Sequence, residues 1–306
     1  MLILTFLIIS YVCFCLAFKT TKKERENDAG GMITNSNHYM YTQKVKDWIQ
    51  TLRERKCEFV NITASCDGTP LSARYYHQKD GAPIAILCHG YRGSAFRDFC
   101  GGHKMCYEMG HNILLIDQRA HGKSGGNTIT FGIKERYDVV DWTKYIANRF
   151  PESEIVLYGI SMGGATVLLA SELDLPKQVK GIFADCPFSS PRDILKNTVK
   201  NMPFPKNLGY PFLFSAARLF GNFTLTKINC ADSVKNAKIP ILIIHGEEDD
   251  FVPCEMSRKI AENNPNVTLE TFKNATHGVS FMEDTDRYIK TVNDFCNKVL
   301  KKDCSN

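Results

Sequence analysis

"YGISMGGA", residues 158–165, fits the pattern G-x-S-x-G through Gly159, Ser161 and Gly163. Three small residues at fixed spacing recur by chance in a long chain, so the flanks decide the reading. Upstream, EIVLY is a short apolar run of strand character; downstream, GGATVLLASEL reads as a helix. Ser161 therefore falls on a tight strand-to-helix turn. Glycines two before and two after it relieve crowding where the backbone turns. The hydroxyl is lifted above the sheet, at the positive end of a helix. A plain helix N-cap is the competing role for the serine. The coincidence of strand, turn and helix argues against it.

Working outward, the same alternation continues. PIAILCHG (83–90), NILLIDQR (112–119), EIVLYGIS (154–161), KGIFADCP (180–187) and PILIIHGE (240–247) are short, continuous apolar runs. VTLETFK (267–273) reads as an edge strand. Helical patterns lie between them at about 95–109, 132–149, 162–174 and 254–263, with a closing helix at about 282–300. Buried strands alternating with helices specify an α/β fold, with a parallel sheet covered on both faces. Ahead of this block, YMYTQKVKDWIQTLRE (39–54) has helical spacing. CEFVNITA (57–64) and LSARYYHQ (71–78) read as an antiparallel pair around Asp67-Gly68. The alternation is interrupted once. About 187–235 carries helical patterns near 190–202 and 211–220 and no strand. It bears Phe204, Tyr210, Phe212, Phe214, Phe220 and Phe223. An insertion of that length reads as a short helical lid; the alternative is additional core packing.

A serine hydroxyl needs a base to take its proton. On this architecture the order along the chain is serine, acid, histidine. His277, in NATHGVSF, follows the last strand and precedes the closing helix, a placement that none of the other seven histidines shares. The loop after the preceding strand, HGEEDDFVP (245–253), offers Glu247, Glu248, Asp249 and Asp250. Asp249 is the chosen acid, Asp250 the next, and Asp185, one strand earlier, the third. A carboxylate there would fix the imidazole tautomer and stabilise its cation. Backbone N–H groups of Met162 and Tyr91, after the serine and after PIAILCHG, are the candidate oxyanion donors.

With these pieces in order, LCHGYRGS, LIDQRAHGKSGG, YGISMGGA, ADCPFSS, IHGEEDDFVP and ATHGVSF, the chain resembles the α/β-hydrolase superfamily. Within it, the chain looks like the bacterial-type serine aminopeptidase-like group, over about residues 55–300. The resemblance implies an α/β-hydrolase fold. It makes Asp117, Arg119 and His121 of the segment DQRAHGKS structural. It covers esterases, lipases and peptidases alike. The aromatic insertion points to an apolar acyl group and so to a carboxylesterase or lipase-like serine hydrolase. An aminopeptidase would need an acidic cluster for the substrate ammonium, and the insertion offers Asp193 without one. A peptidase of this group and a non-catalytic binding module remain the alternatives. No metal or organic cofactor is implied, and no Cys/His spacing suits zinc.

Composition narrows the partners. The net charge of +5 is spread along 306 residues without a basic block interleaved with aromatics, which argues against nucleic acid. The expected partner is a small acyl substrate. The first eighteen residues, MLILTFLIISYVCFCLAF, carry no charge and are followed by Lys19, Lys22, Lys23 and Arg25. The charge placement favours a membrane anchor with the domain on the basic, cytoplasmic side. A signal cleaved after Ala17 and a buried N-terminal helix are the alternatives. Residues 19–38 read as a polar linker and 39–306 as the hydrolase domain. Twelve cysteines without paired spacing suit free thiols, although Cys100–Cys106 and Cys296–Cys304 are candidate bridges in an exported chain. The four N-x-[ST] sequons, at Asn61, Asn222, Asn266 and Asn274, read as accidental.

Overall fold

The computed structural model describes residues 1–25, 39–200 and 206–300. The helical reading of 39–54 holds as α3 (Tyr39–Glu54), after α1 (Leu2–Ala17) and the short α2 (Lys22–Arg25). Eight strands follow: β1 (Glu58–Thr63), β2 (Pro70–Tyr76), β3 (Ile84–Cys88), β4 (Asn112–Asp117), β5 (Ile155–Ile160), β6 (Val179–Asp185), β7 (Ile241–Gly246) and β8 (Val267–Phe272). They form one sheet in the order β1-β2-β4-β3-β5-β6-β7-β8. β1 and β2 form the expected antiparallel pair, β2 runs antiparallel to β4, and all later pairings are parallel. This is the α/β-hydrolase fold.

Strands β3 to β7 are apolar along their length because both faces are covered. One layer contains α4 (Ala95–Glu108) and the closing α12 (Thr285–Val299); the other is built on α5 (Glu135–Arg149) and α6 (Met162–Ala170). Ser94 caps α4 by accepting from Arg97 N. Register places Cys88 of β3 beside Gly159 of β5. The loops that leave these central strands therefore emerge side by side. β7 and β8 pair up to Gly246 and Phe272, so the two loops after them emerge on the same edge.

Two expectations change. The insertion folds as α7 (Pro191–Lys200), α8 (Lys206–Leu219) and α9 (Cys230–Val234). Its apolar residues, among them Phe188, Ile194, Leu195 and Phe223, are buried in the main core. Of its named aromatics, Phe223 is buried there and Phe214 packs against the same core, while Phe220 is exposed; Phe204 lies outside the described residues. The larger correction concerns the N-terminus. No helix among the described residues is long and apolar enough to cross a membrane. Helix α1 has 16 residues, about 24 Å against a hydrocarbon core of about 30 Å. It also rests in part on the protein. Phe6 packs on Phe212 at 4.9 Å, Tyr11 on Phe220 at 5.2 Å, and Phe18 is fully buried against Phe131 and Phe223. The spanning anchor is therefore not supported. Of the expected linker 19–38, residues 26–38 lie outside the described residues, and the part before them makes contacts with the domain. Lys19 bridges to Thr128, and Thr20 N–H donates to Asn127 O at 2.9 Å. Cys100 and Cys106 are buried free thiols; Cys304 lies outside the described residues.

Candidate active site

Ser161 sits between β5 and α6 with φ 54° and ψ −115°, a left-handed conformation rare for a residue with a side chain. The flanking glycines are required by contact. A Cβ on Gly163 would lie 1.8 Å from Cys88 O, and one on Gly159 would lie 2.2 Å from Gly163 O. The turn closes because the β5–α6 backbone can touch itself and β3 at these two points. Ser161 N–H donates to Asp185 O at 2.8 Å, which pins the turn to β6.

From the loop after β8, His277 Nε2 lies 2.9 Å from Ser161 Oγ. Its Nδ1 lies 2.7 Å from Asp249 Oδ2, in the loop after β7. Asp249 is buried, and burial alone would raise its pKa. Hydrogen bonds from His245 and His277 outweigh that and hold the carboxyl down at about 2. Its second oxygen accepts from Phe251 N at 3.0 Å and Val252 N at 2.7 Å. An ionised Asp249 keeps the proton on Nδ1 of His277, so Nε2 is left to accept from the serine hydroxyl. The side chain of His277 is 25% exposed, with Phe251 edge-on at 5.1 Å.

The structure thus joins Ser161, His277 and Asp249 in one hydrogen-bonded chain. It separates the other acids from it. Asp250 is exposed. Asp185 is buried under the site, but its Oδ2 accepts from the Tyr288 hydroxyl at 2.7 Å. Burial pushes that carboxyl up to about 6, against the Tyr288 hydrogen bond. Tyr91 lies in the loop after β3, next to Gly90, and lines the same cavity as Ser161; Met162 opens α6. The Tyr91 hydroxyl donates to Ala17 O at 2.8 Å, and its ring stacks on Phe131 at 4.9 Å.

His245 went unassigned in the sequence. Its Nε2 lies 3.2 Å from Asp249 Oδ2 and 2.8 Å from Val252 O, and its Nδ1 lies 2.7 Å from Ser257 Oγ. It is a buried second brace on the same carboxylate. The signal was its spacing four residues ahead of Asp249. The segment containing Asp117, Arg119 and His121 packs as a floor. Asp117 pairs with Arg74 at 3.1 Å, and Arg119 forks onto Asp138 at 2.6 and 2.7 Å. His121 stacks edge-on at 4.7 Å against His89. Among the described residues, Cys186, Asp249 and His277 are the one cluster close enough to share a metal ion. Asp249 and His277 are already bonded to each other, and burial pushes the Cys186 thiol far above its usual value, so it stays protonated.

Ser161 and His277 open onto a cavity of about 380 Å³. Its walls are apolar, with Trp48, Phe99, Met105, Phe183, Phe281 and Met282 among them. It extends beneath α4, towards α11 (Ser280–Glu283) and α12. No described residue of the 187–235 insertion lines it. The apolar space belongs to the core cluster around α4 and α12, whereas the segment the sequence pointed to packs into the other cluster.

A strained serine between strand and helix, a histidine and an acid from the last two strand ends, and an apolar cavity define a hydrolase of the α/β-hydrolase fold. The chain belongs to the prolyl oligopeptidase family, whose model matches residues 125–303. It is similar to the uncharacterised protein YqkD of Bacillus subtilis, 24% identical over 76% of this chain and 77% of that one. It is also similar to the lysophosphatidylserine lipase ABHD12 of Xenopus tropicalis, 24% identical over 58% of this chain. That match spans 46% of the lipase, so the chain covers about half of its length. An esterase of Pyrococcus furiosus superposes with a TM-score of 0.66 at 26% identity, covering 84% of this chain and 94% of the esterase.

Proposed function

We propose that the protein is a serine hydrolase that cleaves a carboxylic ester with an apolar acyl group, through a covalent acyl-enzyme. One observation carries the reading: the Ser161–His277–Asp249 chain opens onto an apolar cavity. Ser161 Oγ attacks the carbonyl carbon while His277 Nε2 takes its proton. Negative charge develops on the carbonyl oxygen and is met by the backbone N–H groups of Met162 and Tyr91. The imidazolium, held by Asp249, returns the proton to the leaving alcohol. Water then attacks the acyl-enzyme with His277 again as base, and the carboxylic acid departs. The acyl group sits in the cavity under α4. The similarity to a lipase and an esterase supports an ester bond. The prolyl oligopeptidase family favours a second reading, a peptide bond with the same residues in the same roles.

Fluorophosphonate labelling, with p-nitrophenyl ester hydrolysis beside it, tests the proposal. Wild type should label and turn over. Ser161→Ala and His277→Ala should lose labelling and at least about 10³-fold of the rate. Labelling that persists in Ser161→Ala refutes the nucleophile. Labelling with cleavage of aminoacyl anilides and no ester turnover selects the peptidase. A folded wild type inert to every probe points to a binding module.

A further inference from the structure

Helix α1 is exposed over most of its length: every residue from Met1 to Ile9 is exposed, and within the helix only Ser10 and Phe14 are buried. Leu2 is 84% exposed, Ile3 78%, Leu4 63%, Ile8 56% and Leu16 72%. Eleven of the sixteen exposed large apolar side chains among the described residues lie between Met1 and Leu16. Leu219 and Phe220, at the end of α8, are two more, and Phe220 touches Tyr11 and Phe14 of α1. These residues make one continuous patch, larger than scattered surface leucines on a soluble domain require. Its margin is basic. Lys22 and Lys23 are exposed just beyond the C-terminal end of α1, and Arg218 is exposed next to Leu219. Glu24, the acid beside them among the described residues, is paired to Arg92.

We infer that this face docks on an anionic lipid bilayer, with α1 lying in the interface plane rather than crossing it. Three observations select lipid as the occupant. Most of the exposed side chains are aliphatic: Leu2, Ile3, Leu4, Leu7, Ile8 and Ile9 offer a partner no polar group, and the Thr5 hydroxyl is spent on Met1 O. No helix among the described residues is long and apolar enough to cross a membrane, and Phe6, Tyr11 and Phe14 of α1 rest on Phe212 and Phe220 of the insertion. Cationic side chains border the apolar patch, as an anionic headgroup layer requires. The docking also has a place in the chemistry. Arg92, next to Tyr91, donates to the carbonyl oxygens of Leu16 at 3.0 Å and Lys19 at 2.9 Å. The loop beside the nucleophile is thus tied to the docking helix, which places the site close to the lipid surface.

The full chain is sedimented with vesicles of phosphatidylcholine alone and of phosphatidylcholine mixed with phosphatidylglycerol. Wild type should pellet with the mixed vesicles and far less with phosphatidylcholine alone. Ile3→Glu with Ile8→Glu should stay in the supernatant with an unchanged melting temperature. Lys22→Gln with Lys23→Gln should weaken binding to the mixed vesicles by about tenfold or more, while leaving the weak binding to phosphatidylcholine alone. Alkaline carbonate should release the bound wild type. Retention through the carbonate wash would mean a crossing segment and overturn the inference. So would a wild type that pellets no more than the double glutamate variant. A wild type that elutes as a dimer through this face, without taking up vesicles, would also overturn it.

Discussion

At Gly163, contact arithmetic decides a whole turn. A methyl group there would have to occupy the space of the Cys88 carbonyl, and backbone cannot move aside as a flexible side chain can. Gly163→Ala should cost at least about 3 kcal/mol in urea unfolding and abolish labelling with it. A stable, labelled variant would show that the turn has slack. The serine was legible in the sequence because this geometry forces glycine at fixed distances from it. His277 and Asp249 were legible because chain order restricts which strand ends can reach the serine. His245 was not. Its contacts with Asp249, Val252 and Ser257 form only when the loop after β7 folds back over its own strand.

Helix α4 shows what an element can conceal. Gly101 and Gly102 lie inside it, at a cost of about 0.5–1 kcal/mol each relative to alanine. A Cβ on Gly101 would lie 2.7 Å from the Phe281 ring and 3.2 Å from Trp48. The glycine lets α3 and α11 close over the cavity. Gly101→Leu should push into that space. The kcat/KM for octanoyl esters should fall by about tenfold or more, and that for acetyl esters far less. An unchanged chain-length profile would move the acyl group out of the cavity. The sequence placed the strands and most helices within a few residues of their bounds, because buried strands and amphipathic helices have different periods. It misplaced the apolar pocket, because that space is enclosed by α3, α4, α11 and α12, elements far apart in the chain. It misread α1 because an apolar run without a polar face looks the same whether lipid surrounds it or protein covers one side.

For the molecule as a whole, two buried acids pull stability in opposite directions with pH. Asp249 is held down at about 2, so its contribution is present above about 4 and is lost as pH falls through 2. Asp185 is pushed up to about 6, so its contribution is complete below about 4 and is lost as pH rises through 6. Asp185→Asn removes the second loss. The fall in wild-type melting temperature between pH 4.5 and pH 7 should shrink in the variant; an equal fall in both would show that Asp185 is not its source. The links between α1 and the rest of the chain have a different consequence. Tyr91 and Arg92 hold the carbonyls of Leu16, Ala17 and Lys19, atoms that every residue type supplies. Sequence drift in this segment is therefore cheap for the loop after β3, provided the backbone is there. Proteolysis after Ala17 is not, because the fragment that departs carries two of the three acceptors away.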